Sequence, residues 1–111
     1  MTASVVGVAY ARARQYHQCC WCYRGITKGE TYRCLTESID RVAWRFKNCM
    51  HCEAILTETN FMRGDDVVTF YDFQVWQPAT VRQLRLKVGW KHRWRRRDGS
   101  LYVIRHGRIV A

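Results

Sequence analysis

The chain of 111 residues is 48% hydrophobic, carries five Trp, one Pro and six Cys, and has a formal net charge of +10. That size and composition describe one small folded domain and exclude a disordered or low-complexity chain. No apolar run reaches the length of a membrane span, and the charge is one-sided: residues 1–80 hold nine Lys/Arg against eight Asp/Glu, residues 81–111 ten against Asp98 alone.

Residues 1–14 contain an apolar patch but neither the basic first region nor the cleavage site of a signal peptide. Six cysteines could make three bridges in a secreted protein, yet paired Cys-x-x-Cys spacing without an export signal predicts a reducing, cytoplasmic compartment. Cys19 and Cys22 form a tight knuckle, and Cys49 and Cys52 repeat the spacing after twenty-six intervening residues. Four thiolates in two close pairs suit one tetrahedral zinc ion, because a two-residue spacer lets both sulfurs reach it at about 2.3 Å. Four committed thiolates leave no open coordination position, so the zinc is expected to be structural. Disulfides or iron–sulfur ligation are the alternatives that the spacing leaves open. Cys20 competes with Cys19 for the knuckle position, and the two-residue spacer favours Cys19. Cys34 falls on a predicted strand and reads as a small buried apolar residue. His17 and His51 lie near the knuckles and read as neighbours of the site or surface residues, not as ligands.

Between the two pairs, residues 25–35 read as a turn leading into a strand, marked by Ile26, Tyr32 and Cys34. Ser38-Ile39-Asp40-Arg41 reads as a hairpin loop. Val42, Trp44 and Phe46 then alternate with Arg45 and Lys47 along a returning strand. Asn48 is placed to cap a helix whose first turn contains Cys49 and Cys52, one turn apart and able to face one ion. Knuckle, hairpin and ligand-bearing helix in that order describe a treble clef.

Ala11-Arg12-Ala13-Arg14, then His17 to Cys22, then Ile26-Thr27-Lys28-Gly29-Glu30-Thr31-Tyr32, then the second Cys-x-x-Cys resemble the small treble-clef zinc proteins of bacteriophages and prophages. The recurrent pattern of that family is a basic helix, C-x2-C, I-x-K-G-E-x-Y, a hairpin and C-x2-C. The resemblance covers residues 10–58, and it implies a basic helix before the knuckle, a phage origin and an accessory role.

Residues 59–78 are the least legible. Asp65-Asp66 could cap a helix over residues 67–76, although that run is also β-branched and aromatic; a helix is expected, with Phe70, Tyr71 and Trp76 in the core. Thr80 to Gln83 fits a capping box with Pro78 just upstream. Val81, Leu84 and Val88 make one apolar stripe, and Gly89 is expected to end the helix in the left-handed conformation. Asp98-Gly99 marks a two-residue I′ hairpin turn, which sets Trp94 opposite Val103 and Arg96 opposite Leu101. One face of that hairpin then collects Trp90, His92, Trp94, Leu101 and Val103. The other presents Lys91, Arg93, Arg95 and Arg97, joined by Tyr102, Ile104 and His106. Alternate strand residues stand about 6.6–6.8 Å apart, so the four cations form a line that can follow a phosphate backbone. Arg82 and Arg85 on the helix add phosphate contacts. The segment also resembles one in related phage and actinobacterial zinc proteins that ends in a Cys-Pro-x-His-like element. Leu101 to His106 lacks that cysteine, so no second metal site is expected.

The sequence therefore predicts an α+β domain with a treble-clef unit over residues 1–60, a connecting segment over 61–79 and a basic helix and hairpin over 80–111. Nucleic acid, DNA or RNA, is the expected partner; a host protein with an acidic surface is the alternative. A solvated basic face that guards strand edges is the plainest reading. Neither a membrane nor a small-molecule substrate is expected. Enzymatic readings do not fit. His51-Cys52-Glu53 spells the deaminase H-x-E, but it lies inside the second cysteine pair, where the motif order is wrong. An HNH-type nuclease needs a histidine base on the hairpin, and residues 33–47 contain none.

Overall fold

The computed structural model describes residues 3–59, 68–105 and 108–109. In chain order they form β1 (Ala3–Arg12), β2 (His17–Gln18), β3 (Gly25–Ile26), β4 (Thr31–Ile39), β5 (Val42–Cys49), α1 (Met50–Thr59), α2 (Phe70–Val75), α3 (Val81–Lys91), β6 (Ile104–Arg105) and β7 (Arg108–Ile109). The fold is α+β. β1, β4 and β5 make an antiparallel sheet in that order, while β2–β3 and β6–β7 are short ribbons. No helix among the described residues is long and apolar enough to cross a membrane.

The basic helix implied before the knuckle is not formed. Residues 10–12 extend β1 instead, with Tyr10 opposite Arg33 and Arg12 opposite Thr31. Val5, Val8 and Tyr10 suit a strand, and the ladder to β4 satisfies backbone groups that a lone short helix would leave to water. The β4–β5 hairpin forms, with a tighter turn than the expected Ser38–Arg41 loop, because Ser38 and Ile39 stay paired in β4. Ile39 pairs with Val42, and Asp40 and Arg41 both take positive φ (51° and 66°), the signature of a two-residue I′ turn. Val42 and Trp44 nevertheless stay exposed, because this end of the hairpin projects beyond the core.

The register places Cys49 opposite Tyr32 at the last position of β5, not inside a helix. Asn48 is consequently a strand residue and not the cap. Its amide donates to the Cys49 carbonyl (3.1 Å) and to Glu53 (3.2 Å), bracing the strand-to-helix junction.

The expected cap at Asp65-Asp66 lies outside the described residues. α2 starts later, where the Thr69 amide and hydroxyl both donate to Asp72 (2.8 and 3.1 Å). Phe73 is its fully buried residue, while Tyr71, expected in the core, is 65% exposed. The Thr80 cap of α3 is as read: its hydroxyl accepts from the Gln83 amide at 3.1 Å, and Gln83 reaches back to the Ala79 amide at 2.7 Å.

α3 runs two residues past Gly89, and the opposite face from the expected stripe packs inward. Leu86, Gly89 and Trp90 are buried, whereas Val81, Leu84 and Val88 are 69%, 53% and 43% exposed. The left-handed closure that follows the helix falls at Arg93, four residues after Gly89, with a φ of 53°. The Arg93 amide donates to the Trp90 carbonyl (2.9 Å) and the Trp94 amide to the Gly89 carbonyl (2.7 Å), a Schellman closure. The apolar contact of that motif is the Trp94 ring lying on Gly89. A β-carbon on Gly89 would meet the ring at 2.6 Å. Alanine normally stabilises a helix interior by about 1 kcal/mol over glycine. Here the buried ring cannot retreat, and overpacking costs about 1–3 kcal/mol. Gly89→Ala is therefore expected to destabilise the metal-loaded protein by about 1 kcal/mol, read from its urea midpoint; a raised midpoint would contradict this packing.

The C-terminal hairpin differs from the expected one by a single residue. Arg95, not Arg96, bridges Leu101, and the Gly99 amide closes onto Arg96 (2.9 Å) with only Gly99 in the left-handed region (φ 88°). This is a three-residue loop with a glycine bulge, and a one-residue slip moves side chains to the other face. The paired strand is no more than this bridge, since Trp90 and Lys91 belong to α3. The short ribbon is β6–β7, with Ile104 opposite Ile109; His106 lies outside the described residues.

One core joins both halves of the chain. Cys19, Cys22, Cys49 and Cys52 pack with Trp21, Ile26, Ile55, Phe73, Leu86, Trp90 and Trp94. Each buried indole finds a partner: Trp21 donates to the Val68 carbonyl at 2.9 Å and Trp90 to the Trp21 carbonyl at 2.6 Å.

Candidate functional site

Two local devices bring the four cysteines together. The knuckle turns tightly at Tyr23 (φ 64°), whose amide donates to the Cys19 carbonyl at 3.0 Å. The end of β5 delivers Cys49, and the first turn of α1 delivers Cys52. The sulfurs of Cys19, Cys22, Cys49 and Cys52 all lie within 4.8 Å of one another, and all four residues are buried. Cys19 Sγ stands 3.9 Å from Cys52 Sγ, and Cys22 Sγ 3.8 Å from Cys49 Sγ. Four thiolates around a tetrahedral ion with bonds of about 2.3 Å stand about 3.8 Å apart. The cluster is therefore shaped to bind a metal ion.

The electrostatics fit the same conclusion. Hydrogen bonds from Cys22, Cys49 and Cys52 hold Cys19 as a thiolate, far below the usual thiol range. Burial, then hydrogen bonds with Cys19, Cys22 and Cys49, push Cys52 well above it. Four dry sulfurs cannot all ionise without a cation between them; a coordinated cation makes that possible. Backbone amides complete the cradle: Trp21 and Cys49 donate to Cys19 Sγ at 3.4 and 3.3 Å, and Cys52 donates to Cys49 Sγ at 3.5 Å.

Cys20 and Cys34 stand outside the cluster. The Cys20 amide is tied to the Lys47 carbonyl at 2.9 Å, and burial beside the Cys19 charge pushes its thiol up to about 12. Cys34 is a half-buried strand residue, more open than its reading as a core residue. His51 is a strut. Its Nδ1 accepts from Arg24 (3.1 Å), so Nε2 carries the proton and donates to the Tyr102 carbonyl at 2.6 Å. Burial holds its pKa below the ordinary histidine value. Burial opposes the Arg24 charge, but its ion pair with Glu30 (2.9 Å) and the sulfurs of Cys49 and Cys22 raise its pKa.

The contact that sequence reasoning missed belongs to Trp94, which the hairpin register placed only on the inner face. Its indole Nε1–H donates to Cys52 Sγ at 3.4 Å from a fully buried ring. This contact fastens the basic C-terminal segment directly to the cysteine cluster. The spacing Gly89-x4-Trp94 was the available signal, but an aromatic five residues past a helical glycine has many uses.

The basic residues are placed differently from the expected line. Arg82 is spent on Glu58 (3.0 and 3.2 Å), joining α3 to α1. Arg85 is exposed on the outer face of α3, beside Val81, Leu84 and Val88. Lys91 ends the helix, Arg93 occupies its left-handed closure, Arg95 bridges Leu101, and Arg97 sits in the loop. They project from one short, tightly folded segment and not from alternate positions of one strand. Tyr102 is half-buried, with the Arg96 guanidinium 5.5 Å from its ring centre. Among the described residues, ion pairs take up Arg24, Arg33 and Arg82, and none involves Lys91, Arg93, Arg95, Arg96 or Arg97.

Lys87 is a second residue the sequence did not single out. Its aliphatic stem is buried, and its ammonium donates to the Gln74 carbonyl (2.9 Å) and the Trp76 carbonyl, capping the end of α2. Comparison with protein-family descriptions, curated proteins and solved structures finds no match to this chain.

Proposed function

We propose that this protein is a zinc-stabilised nucleic-acid-binding accessory factor, encoded by a phage, that contacts the phosphate backbone through residues 91–97. Zinc is the ion that four buried thiolates at tetrahedral spacing fit best, and it supplies charge neutralisation and a cross-link between knuckle and helix. The knuckle, the β4–β5 hairpin and α1 follow the order of a treble clef, and we read them as one. The phage assignment rests on the motif resemblance over residues 10–58.

The observation that carries the binding reading is the set of five exposed cations, Lys91, Arg93, Arg95, Arg96 and Arg97, with no ion pair among the described residues and held on a rigid base by Trp94. A concentrated basic surface beside a nearly neutral remainder attracts polyanions. Because only Lys91 of these residues lies on a helix, and at its last position, phosphate contact without strong sequence preference is expected.

Changing Arg93, Arg95 and Arg97 to Ala tests this. The parent is expected to bind DNA or RNA with a steep salt dependence. The triple variant should keep its metal, bind more weakly, and show a log K against log salt slope flatter by about three, one per lost phosphate contact. Equal binding by variant and parent, or no salt-dependent binding by the parent, would remove nucleic acid as the partner of this face.

A second reading has its own observation. Val81, Leu84 and Val88 lie exposed with Arg85, Tyr102 and Ile109 around a groove of about 510 Å³. An apolar groove with a basic rim suits an acidic host protein. A pull-down from bacterial lysate with and without nuclease separates the two: partners lost on nuclease treatment favour nucleic acid, one stoichiometric protein retained favours the second.

A further inference from the structure

Beside the basic segment lies a small pocket of about 280 Å³, lined by Cys22, Phe70, Gln74, Trp90, Lys91 and Arg93. Its floor is aromatic. The Phe70 ring packs against Trp90 (centres 5.1 Å apart), and Tyr23 stacks on Phe70 at 4.5 Å and 11°. Tyr23, 42% exposed, is not among the lining residues and backs Phe70 from outside the pocket. Lys91 and Arg93 stand at the rim with no ion pair among the described residues, and no carboxylate lines the pocket. The nearby Asp72 carboxylate is already engaged by the Thr69 amide and hydroxyl. Lys87 adds positive charge beneath Gln74, through its ammonium at the Gln74 carbonyl.

An aromatic floor, one amide side chain and two free cations at the rim match the parts of a nucleotide. The planar base stacks, its edge meets Gln74, and its phosphate meets Lys91 and Arg93. The volume falls below the usual 300–1,000 Å³ of drug-sized sites, so it holds one ring system. A base paired inside a duplex offers only its edge to a protein and cannot reach such a floor. An unpaired base can, and stacking on aromatic side chains is the usual mode for single strands.

We infer that the pocket between the knuckle, α2 and the end of α3 seats one unpaired nucleotide, which makes single-stranded nucleic acid the preferred ligand of the basic segment. This rests on the nucleic-acid reading above, and the test separates the two. Fluorescence anisotropy with a labelled twelve-residue oligothymidine strand and with the matching duplex should show tighter binding of the strand by the parent. Phe70→Ala should weaken strand binding by about tenfold, the size of one lost base–aromatic stack. Duplex binding should change by less than about twofold, and Phe70→Trp should restore strand affinity.

A folded, metal-loaded Phe70→Ala protein that binds the strand like the parent overturns the inference, as does a parent that binds strand and duplex equally. Both results leave electrostatic nucleic-acid binding standing. A parent that binds neither overturns both. Because Phe70 is partly buried, Gln74→Glu is the second variant. It changes an exposed side chain and sets a carboxylate beside Lys91, so it should weaken the strand more than the duplex; an equal effect on both overturns the pocket. Free thymidine monophosphate should compete only weakly, and competition as tight as the strand's overturns the assignment to a strand.

Discussion

A Cys52→Ser protein is expected to purify without metal and to lose the cooperative unfolding of residues 15–58. Cys52 is fully buried, stands 3.9 Å from Cys19 Sγ and accepts the Trp94 indole N–H. Serine removes a soft ligand and leaves a hydroxyl in a dry cluster beside three thiols that must then protonate. Structural zinc in small domains contributes an apparent 10–16 kcal/mol of binding energy that is also folding energy. Loss on that scale is as large as the whole net stability of an ordinary domain, about 5–15 kcal/mol. Elemental analysis and thermal denaturation are the measurements. Cys34→Ser is the control, expected to keep one metal per chain, because Cys34 is a half-buried strand residue outside the cluster. A Cys52→Ser protein that retained one equivalent of metal and an unchanged melting transition would contradict the ligand set.

Trp94→Ala is expected to destabilise the metal-loaded protein by about 3–5 kcal/mol, the range for removing a large buried aromatic. The ring fills the space over Gly89 and touches His51 (centres 5.5 Å apart), so its loss opens a cavity between α1 and α3. Trp94→Phe keeps most of the buried area and removes the N–H···S bond. It should cost less, about 1–3 kcal/mol, since a sulfur acceptor loses its donor and the ring is smaller. Chemical denaturation of both variants with metal bound gives the comparison. An alanine variant as stable as the parent would mean that the basic segment is not anchored through Trp94. If residues 91–97 bind nucleic acid as proposed, the same variant should also weaken that binding, because they would lose their fixed base.

The legible parts of this chain were those governed by neighbours in sequence. The two Cys-x-x-Cys spacings place their sulfurs locally, and the structure gathers those four buried residues within 4.8 Å. The β4–β5 hairpin followed from alternation around Asp40-Arg41, and the α3 start from Thr80 and Gln83. The errors came where a local signal competed with a distant partner. The family pattern implied a basic helix around Ala11–Arg14, but the open edge of β4 takes residues 10–12 into β1. Asn48 has a cap residue's chemistry, but the register of β5 keeps it in the sheet.

The C-terminal segment makes the division clearest. Composition alone put nearly all the excess positive charge in residues 81–111, and no packing could move it. Which way those charges face was decided in three dimensions. Glycine at 89 reads locally as a helix end, and Asp98-Gly99 reads as a two-residue turn. The helix instead continues to Lys91, because the space left by Gly89 is filled by Trp94, which has its hydrogen-bond acceptor on Cys52, forty-two residues earlier. Burying that indole fixes the closure at Arg93 and shifts the hairpin by one residue. The longer helix, its closure at Arg93 and that shift together turn an expected line of four cations into a folded segment beside an aromatic pocket. Ligand spacing and net charge are properties of the chain; the face they present depends on a burial energy that only distant residues can supply.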